Sequence, residues 1–198
     1  MTKSIKKRVS VSIIGGSGYT GAELIRLLSK HPYFNLFQVV ANRNVGKKIQ
    51  TVFPHLRHLD LPDFISFEEM NFEDVELIFC ALPHATSQEI IVKIPQGKKI
   101  IDLSADFRLD RLEEYESWYG KKHIAPALQE KAVYGLTEIY KKKIKDGSLI
   151  ACTGCNSAAT LYPLIPLLSE GVIHDNNLTI NLGAGVSGAG RDAKQNII

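Results

Sequence analysis

Val9-Ser-Val-Ser-Ile-Ile14 runs straight into Gly15-Gly-Ser-Gly-Tyr-Thr-Gly21, and that junction decides the fold. The first segment alternates and ends apolar, as a strand does. The segment after the glycines, Ala22-Glu-Leu-Ile-Arg-Leu-Leu-Ser29, repeats its apolar residues Leu24, Ile25 and Leu28 at helical spacing. His31-Pro32 closes that helix, because the residue before a proline avoids the helical region. Gly16, Gly18 and Gly21 therefore have the G-x-G-x-x-G spacing in a strand–turn–helix setting. Glycine there permits a tight turn and close approach of the backbone to a pyrophosphate, whose charge rests on the helix N-terminus. Ser17, Tyr19 and Thr20 add hydroxyl donors.

Working outward, Phe34 to Ala41 predicts a second strand. It ends in Ala41-Asn-Arg-Asn-Val-Gly-Lys-Lys48. A fold that takes NAD carries an acidic residue here for the ribose 2′-hydroxyl. This stretch has none and offers Arg43, Lys47 and Lys48, which favours a 2′-phosphate and hence NADP. Further strands are expected at Phe64–Phe67, Val75–Leu82, Lys99–Ser104 and Ser148–Cys152. Helices are expected at Ala85–Ile94 and from Cys155 toward Leu168, with Pro163 and Pro166 kinking or dividing the latter. Strands alternating with helices, several of them nearly all apolar, predict an α/β fold: a doubly wound, mostly parallel, Rossmann-like sheet. Asn177-Leu-Thr-Ile-Asn-Leu182 predicts another strand leading into a glycine-rich loop. With little left to pair with it before Ile198, the chain reads as cut short.

The bulk properties narrow the function classes. With 198 residues, 44% hydrophobic and 23% charged, the chain is long enough for a real core and matches a soluble globular protein. No run of 18 apolar residues occurs, and the basic lead Met1–Arg8 lacks the apolar core of a secretory signal; no membrane association and a cytoplasmic location are expected. A net charge of +3, with the basic runs at Lys98-Lys99 and Lys141–Lys145 lacking interleaved aromatics, argues against nucleic acid. The partner expected is a small anionic molecule.

Three cysteines occur, Cys80, Cys152 and Cys155. The first two fall in apolar strands and read as core. Cys152 and Cys155 are formally C-x-x-C, but no second pair or nearby histidines complete a metal site, and none is expected. Cys155 differs: Thr153-Gly154 precede it, and Asn156-Ser-Ala-Ala-Thr160 reads as a first helical turn. A sulfur at a helix start lies in the field of unpaired N–H groups, which favours thiolate, so Cys155 is the candidate nucleophile. Pro83-His84 and Asp102-Leu-Ser-Ala-Asp-Phe-Arg108 follow strands on the edge where such sheets place ligands. Arg108 either forks onto a substrate anion or pairs with Asp102, Asp106 or Asp110. His31, His55, His58, His123 and His174 read as surface or turn residues.

Six blocks in order, Gly15–Leu24, Ala81–His84, Ile101–Arg108, Tyr134–Glu138, Gly154-Cys155 and Gly185–Arg191, resemble the N-acetyl-gamma-glutamyl-phosphate reductases of arginine biosynthesis, within the wider semialdehyde dehydrogenase group. The resemblance implies an NADP-binding domain over 1–153 and, over 154–198, the beginning of an α+β catalytic and dimerisation domain, with a homo-oligomer when full length. It implies Cys155 as the nucleophile that forms a thioester with an acyl phosphate substrate, cofactor contacts at Ser17 through Thr20 and at Pro83, and a substrate-anion role for Arg108. It also implies that the loop with Ser187 and Gly188 approaches the nicotinamide. Two departures stand out. Most members have Gly-Cys-Tyr-Pro-Thr where this chain has Gly154-Cys-Asn-Ser-Ala158. The asparagine resembles the lysine-biosynthesis branch that reduces an aminoadipyl phosphate, which makes Asn156 a substrate-selecting candidate. The family's acid–base histidine is expected past residue 198. The alternatives left are that branch, aspartate-semialdehyde dehydrogenase (against which the Ser104–Arg108 and Gly18–Leu24 blocks argue), and a non-catalytic dinucleotide-binding fragment.

Overall fold

The structure, a computed structural model, describes residues 7–191, so most of the basic lead (1–6) and the tail 192–198 lie outside the described residues. Its centre is a seven-stranded sheet in the order β3-β2-β1-β4-β5-β7-β6: β1 Val9–Ile14, β2 Phe34–Val40, β3 Phe64–Ile65, β4 Leu77–Cys80, β5 Lys99–Asp102, β6 Ala132–Gly135 and β7 Leu149–Cys152. Every pairing within it is parallel. The chain builds outward from β1 to β2 and β3, then returns to β1's other side for β4, so the order reverses between β1 and β4. Ligands bind at that reversal, beyond the carboxyl ends of the strands.

Alternation along the strands builds two cores. Ile13, Val39 and Phe64 face helix α1 (Tyr19–Leu28), with Ile25 and Leu28 buried against them. Ile14, Val40, Ile78 and Cys80 face the other side, with Ile91 of α3 (Ser87–Ile91) and Phe107. Both sides being covered explains why the strands read as continuous apolar runs. Each buried Ile, Leu, Val or Phe contributes about 1.5–3 kcal/mol.

Several expectations shift. Helix α1 starts at Tyr19, so Tyr19 to Gly21 form its first turn rather than the loop before it. The strands after β2 are shorter than their apolar runs, since ladder pairing ends before the hydrophobic residues do, and helix α3 keeps only Ser87–Ile91 between flanking turns. The short helix α2 (Ile49–Val52), helices α4 (Leu112–Tyr119), α5 (Pro126–Gln129) and α6 (Thr137–Asp146) and strand β6 went unread in the sequence. Strand β6 is only half buried at a sheet edge, so Ala132-Val-Tyr-Gly135 carries no alternation to find. Helix α7 (Cys155–Ser169) runs unbroken through Pro163 and Pro166. Both prolines are exposed, so water can take the carbonyls that lose their helical donors. The strand expected at Asn177–Leu182 does not form: no described residue pairs with it, and Leu178, Ile180 and Leu182 stand 40–49% exposed.

Candidate active site

The glycine turn is built by contact. A Cβ on Gly15, whose φ is +88°, would lie 2.4 Å from the Ala81 carbonyl oxygen. One on Gly16 would lie 2.1 Å from Cγ1 of Val39, and one on Gly21 would lie 2.5 Å from the Gly16 carbonyl. These three let β1, β2, β4 and α1 meet. Gly18 is different: the nearest atom to its Cβ position is 4.0 Å away. The fold does not require glycine there, and the turn stands open on that side. Gly18 is also the N-cap of α1, with no side chain capping the helix and no acidic residue in its first turn. Unneutralised N–H groups beside open space fit the pyrophosphate of a dinucleotide.

Two basic residues follow β2. Arg43 lies in the short 3₁₀ turn Asn42–Asn44 directly after β2, while Lys47 Nζ donates to Asn44 Oδ1 at 3.2 Å. The late loop arrives from the far end of the chain as a 3₁₀ turn over Val186–Ala189, holding Ser187 and Gly188. Arg191, just beyond it, donates from Nη1 to the Ser17 carbonyl at 3.3 Å and packs over Phe53 at 5.5 Å. Arg191, which the sequence did not single out, thus ties this loop to the glycine turn.

Across the strand-order reversal, the ends of β4, β5 and β7 gather the remaining candidates. Pro83 and His84 are exposed after β4, and His84 Nδ1 accepts the Ala105 N–H at 3.1 Å. Arg108 bridges two segments: Nε donates to the Cys152 carbonyl at 2.6 Å and Nη2 to the Leu103 carbonyl at 2.8 Å. It makes no carboxylate pair among the described residues, so the salt-bridge alternative does not form and its charge stays available. Its Nη1 lies 3.1 Å from where a Cβ on Gly154 would sit. Gly154 thus lets the guanidinium tuck against the start of α7, which begins at the exposed Cys155. No side chain caps α7 and its first turn has no acid. Asn156 Oδ1 lies 3.8 Å from the Cys155 sulfur, and Tyr134 and Thr153 hold the preceding residues through a 2.7 Å hydroxyl contact.

The other two cysteines are set apart electrostatically. Burial, aided by the Asp102 charge, pushes the Cys80 thiol up. The same two causes, partly opposed by Arg108, push Cys152 up to about 11. Burial also raises the Asp102 carboxyl against the lowering effect of hydrogen bonds from Ser104 and Ser87. His123, read as a surface or turn residue, is instead 5% exposed: its Nε2–H donates to the Asp106 carbonyl at 2.9 Å and Nδ1 accepts from Ala125. Tertiary packing of Phe107 and Tyr115 around its ring buries it, which no local pattern shows.

Residues 10–147 match the family described as semialdehyde dehydrogenase, NAD binding domain, and residues 155–198 match semialdehyde dehydrogenase, dimerisation domain. The N-acetyl-gamma-glutamyl-phosphate reductase of Cereibacter sphaeroides is 52% identical over 96% of this chain and 55% of its own length. That of Ruegeria pomeroyi is 50% identical over 95% of this chain and 55% of its own length. The chain thus spans about half the length of these relatives. Among solved structures, aspartate semialdehyde dehydrogenase II of Vibrio cholerae aligns with a TM-score of 0.58 at 17% identity, covering 82% of this chain and 47% of that one. The Candida albicans aspartate semialdehyde dehydrogenase, solved with NADP, aligns at 0.57 and 18% identity, covering 83% and 48%. At that identity these two show a shared fold and nothing finer.

Proposed function

The chain belongs to the semialdehyde dehydrogenase family and carries its nicotinamide-dinucleotide-binding domain, and from that premise we propose that it works in the NADPH-dependent reduction of N-acetyl-gamma-glutamyl phosphate to the semialdehyde. The observation that carries this reading is the meeting of Arg108 with Gly154-Cys155: a guanidinium with no carboxylate partner among the described residues is tucked against the helix start that bears an exposed sulfur.

The residues divide the work. Arg108 draws the acyl phosphate anion to the edge of the sheet. The Cys155 sulfur attacks the acyl carbon, the carbon–oxygen bond to phosphate breaks, and phosphate leaves with that electron pair and takes up a proton. A thioester on Cys155 remains. N–H groups at the start of α7 stabilise the oxyanion that forms at the acyl oxygen. A bound NADPH supplies the hydride that reduces the acyl carbon. Release of the semialdehyde returns the sulfur as an anion. The turn Gly16–Gly21 would hold the pyrophosphate of the dinucleotide, with Ser17, Tyr19 and Thr20 as donors, and Pro83 would add a contact from the end of β4. Basic Arg43 after β2, with no acid in that turn, favours NADP over NAD. The need for a reduced thiol supports a cytoplasmic setting, and the match over 155–198 supports a homo-oligomer.

The acyl-transfer half-reaction tests this directly. Mixed with N-acetyl-gamma-glutamyl phosphate, the protein is expected to release one phosphate per chain and to gain the acyl mass on Cys155, and Cys155→Ser is expected to do neither. NADPH binding without acylation would leave a dinucleotide-binding module and overturn the reductase. Asn156 beside the sulfur favours testing the longer aminoadipyl phosphate in parallel; faster acylation by it would move the substrate to that branch.

A further inference from the structure

The turns after β4 and β5 hold each other by exchanged hydrogen bonds. His84 Nδ1 accepts the N–H of Ala105 at 3.1 Å, and Asp106 Oδ1 accepts the N–H of Ala85 at 2.6 Å. Asp106 does more: Oδ2 accepts the Gln88 N–H at 3.0 Å, and the Tyr115 hydroxyl donates to Oδ1 at 2.9 Å. The group is 1% exposed, so these bonds act away from water. The backbone it grips is strained. Ala85 has φ +64°, a left-handed conformation that costs a residue with a Cβ roughly 1–2 kcal/mol and persists only where its surroundings enforce it.

The held segment matters because of what it adjoins. Pro83 and His84 follow Ala81, whose carbonyl lies against Gly15 of the glycine turn. His84 spends Nδ1 on Ala105, so its neutral ring carries the proton on Nε2 and offers a donor at the exposed end of β4. Two residues after Asp106 comes Arg108. Resting on the reading that this crevice takes a dinucleotide, we propose that Asp106 is a positioning residue: by holding Ala85 left-handed it sets Pro83 and His84 against the glycine turn, and it couples that turn to the segment bearing Arg108.

Asp106→Asn and the double variant Asp106→Asn with Ala85→Gly separate this from a merely structural role. The intact chain is titrated with NADPH by nucleotide fluorescence, and thermal unfolding is followed in parallel. Asp106→Asn puts an amide donor against main-chain donors and is expected to weaken NADPH binding about tenfold, the weight of one charge-assisted bond. Glycine takes a positive φ freely, so Ala85→Gly in that background is expected to recover most of the loss. A binding constant within twofold of the unaltered chain, or a double variant no better than Asp106→Asn, would overturn the proposal, because a structural role moves the melting temperature alone. Should Asp106→Asn not fold, Tyr115→Phe removes one donor to the same oxygen: a severalfold weakening reversed by Ala85→Gly supports the proposal, and an unchanged constant sinks it. No NADPH binding by the unaltered chain would fell the dinucleotide reading itself, and this inference with it.

Discussion

Gly16 and Gly18 stand two residues apart in one turn, yet a methyl group added to each meets opposite surroundings. At Gly16 it enters the space of the fully buried Val39. Gly16→Ala is therefore expected to cost about 1–3 kcal/mol in thermal or denaturant unfolding, as overpacking does. At Gly18 the methyl group meets open space and φ is −82°, an ordinary value. Gly18→Ala is expected to keep stability within about 0.5 kcal/mol while weakening NADPH binding, since the methyl group occupies the ligand's side of the turn. Equal effects of the two changes on stability would contradict the geometry. The cysteines make a second contrast. Cys80 is buried and Cys152 has its thiol pushed up to about 11, so both stay protonated at neutral pH. Brief iodoacetamide treatment at pH 7.5 is expected to give a single adduct, mapped by mass spectrometry to Cys155, with Cys152 joining only as pH climbs toward 11.

Among the elements, α7 and the segment after it show how much a neighbour decides. The alternation Leu178-Thr-Ile-Asn-Leu182 is a strand pattern, but a strand needs a ladder partner for its N–H and C=O groups. No described residue supplies one, and the apolar side chains remain exposed. Helix α7 persists without a single buried residue and with two internal prolines. Helix α4 is held by a local device instead: it ends at Gly120 with φ +65°, the left-handed C-cap that glycine favours. Gly120→Ala meets no steric neighbour, so the expected loss is conformational, about 1 kcal/mol in thermal unfolding, with NADPH binding unchanged.

At the scale of the molecule, the sheet buries an acid at the end of an inner strand. Asp102 ends β5, fully buried, with its carboxyl raised above the ordinary value of 3.8 chiefly by desolvation. A carboxyl raised in the folded state contributes stability that is complete below its unfolded value and lost as pH rises through the folded one. Melting temperature followed upward from about pH 4 is expected to show that loss. Asp102→Asn, which cannot ionise, is expected to lack this part of the pH dependence; an unchanged profile would contradict it.

Local physics wrote the parallel sheet and its first half into the chain, because period-two and helical spacing, glycine punctuation and apolar strands act over a few residues. The glycine turn, the basic end of β2 and the cysteine at a helix start were legible for the same reason. What only the tertiary structure decided rests on contacts between distant segments. Arg108 takes main-chain carbonyls at Leu103 and Cys152 rather than an aspartate, Asp106 locks two turns together, His123 goes inside, and Arg191 reaches Ser17 across 174 positions. Such outcomes depend on which surfaces folding brings together, and a buried polar group takes whichever partner is then in reach.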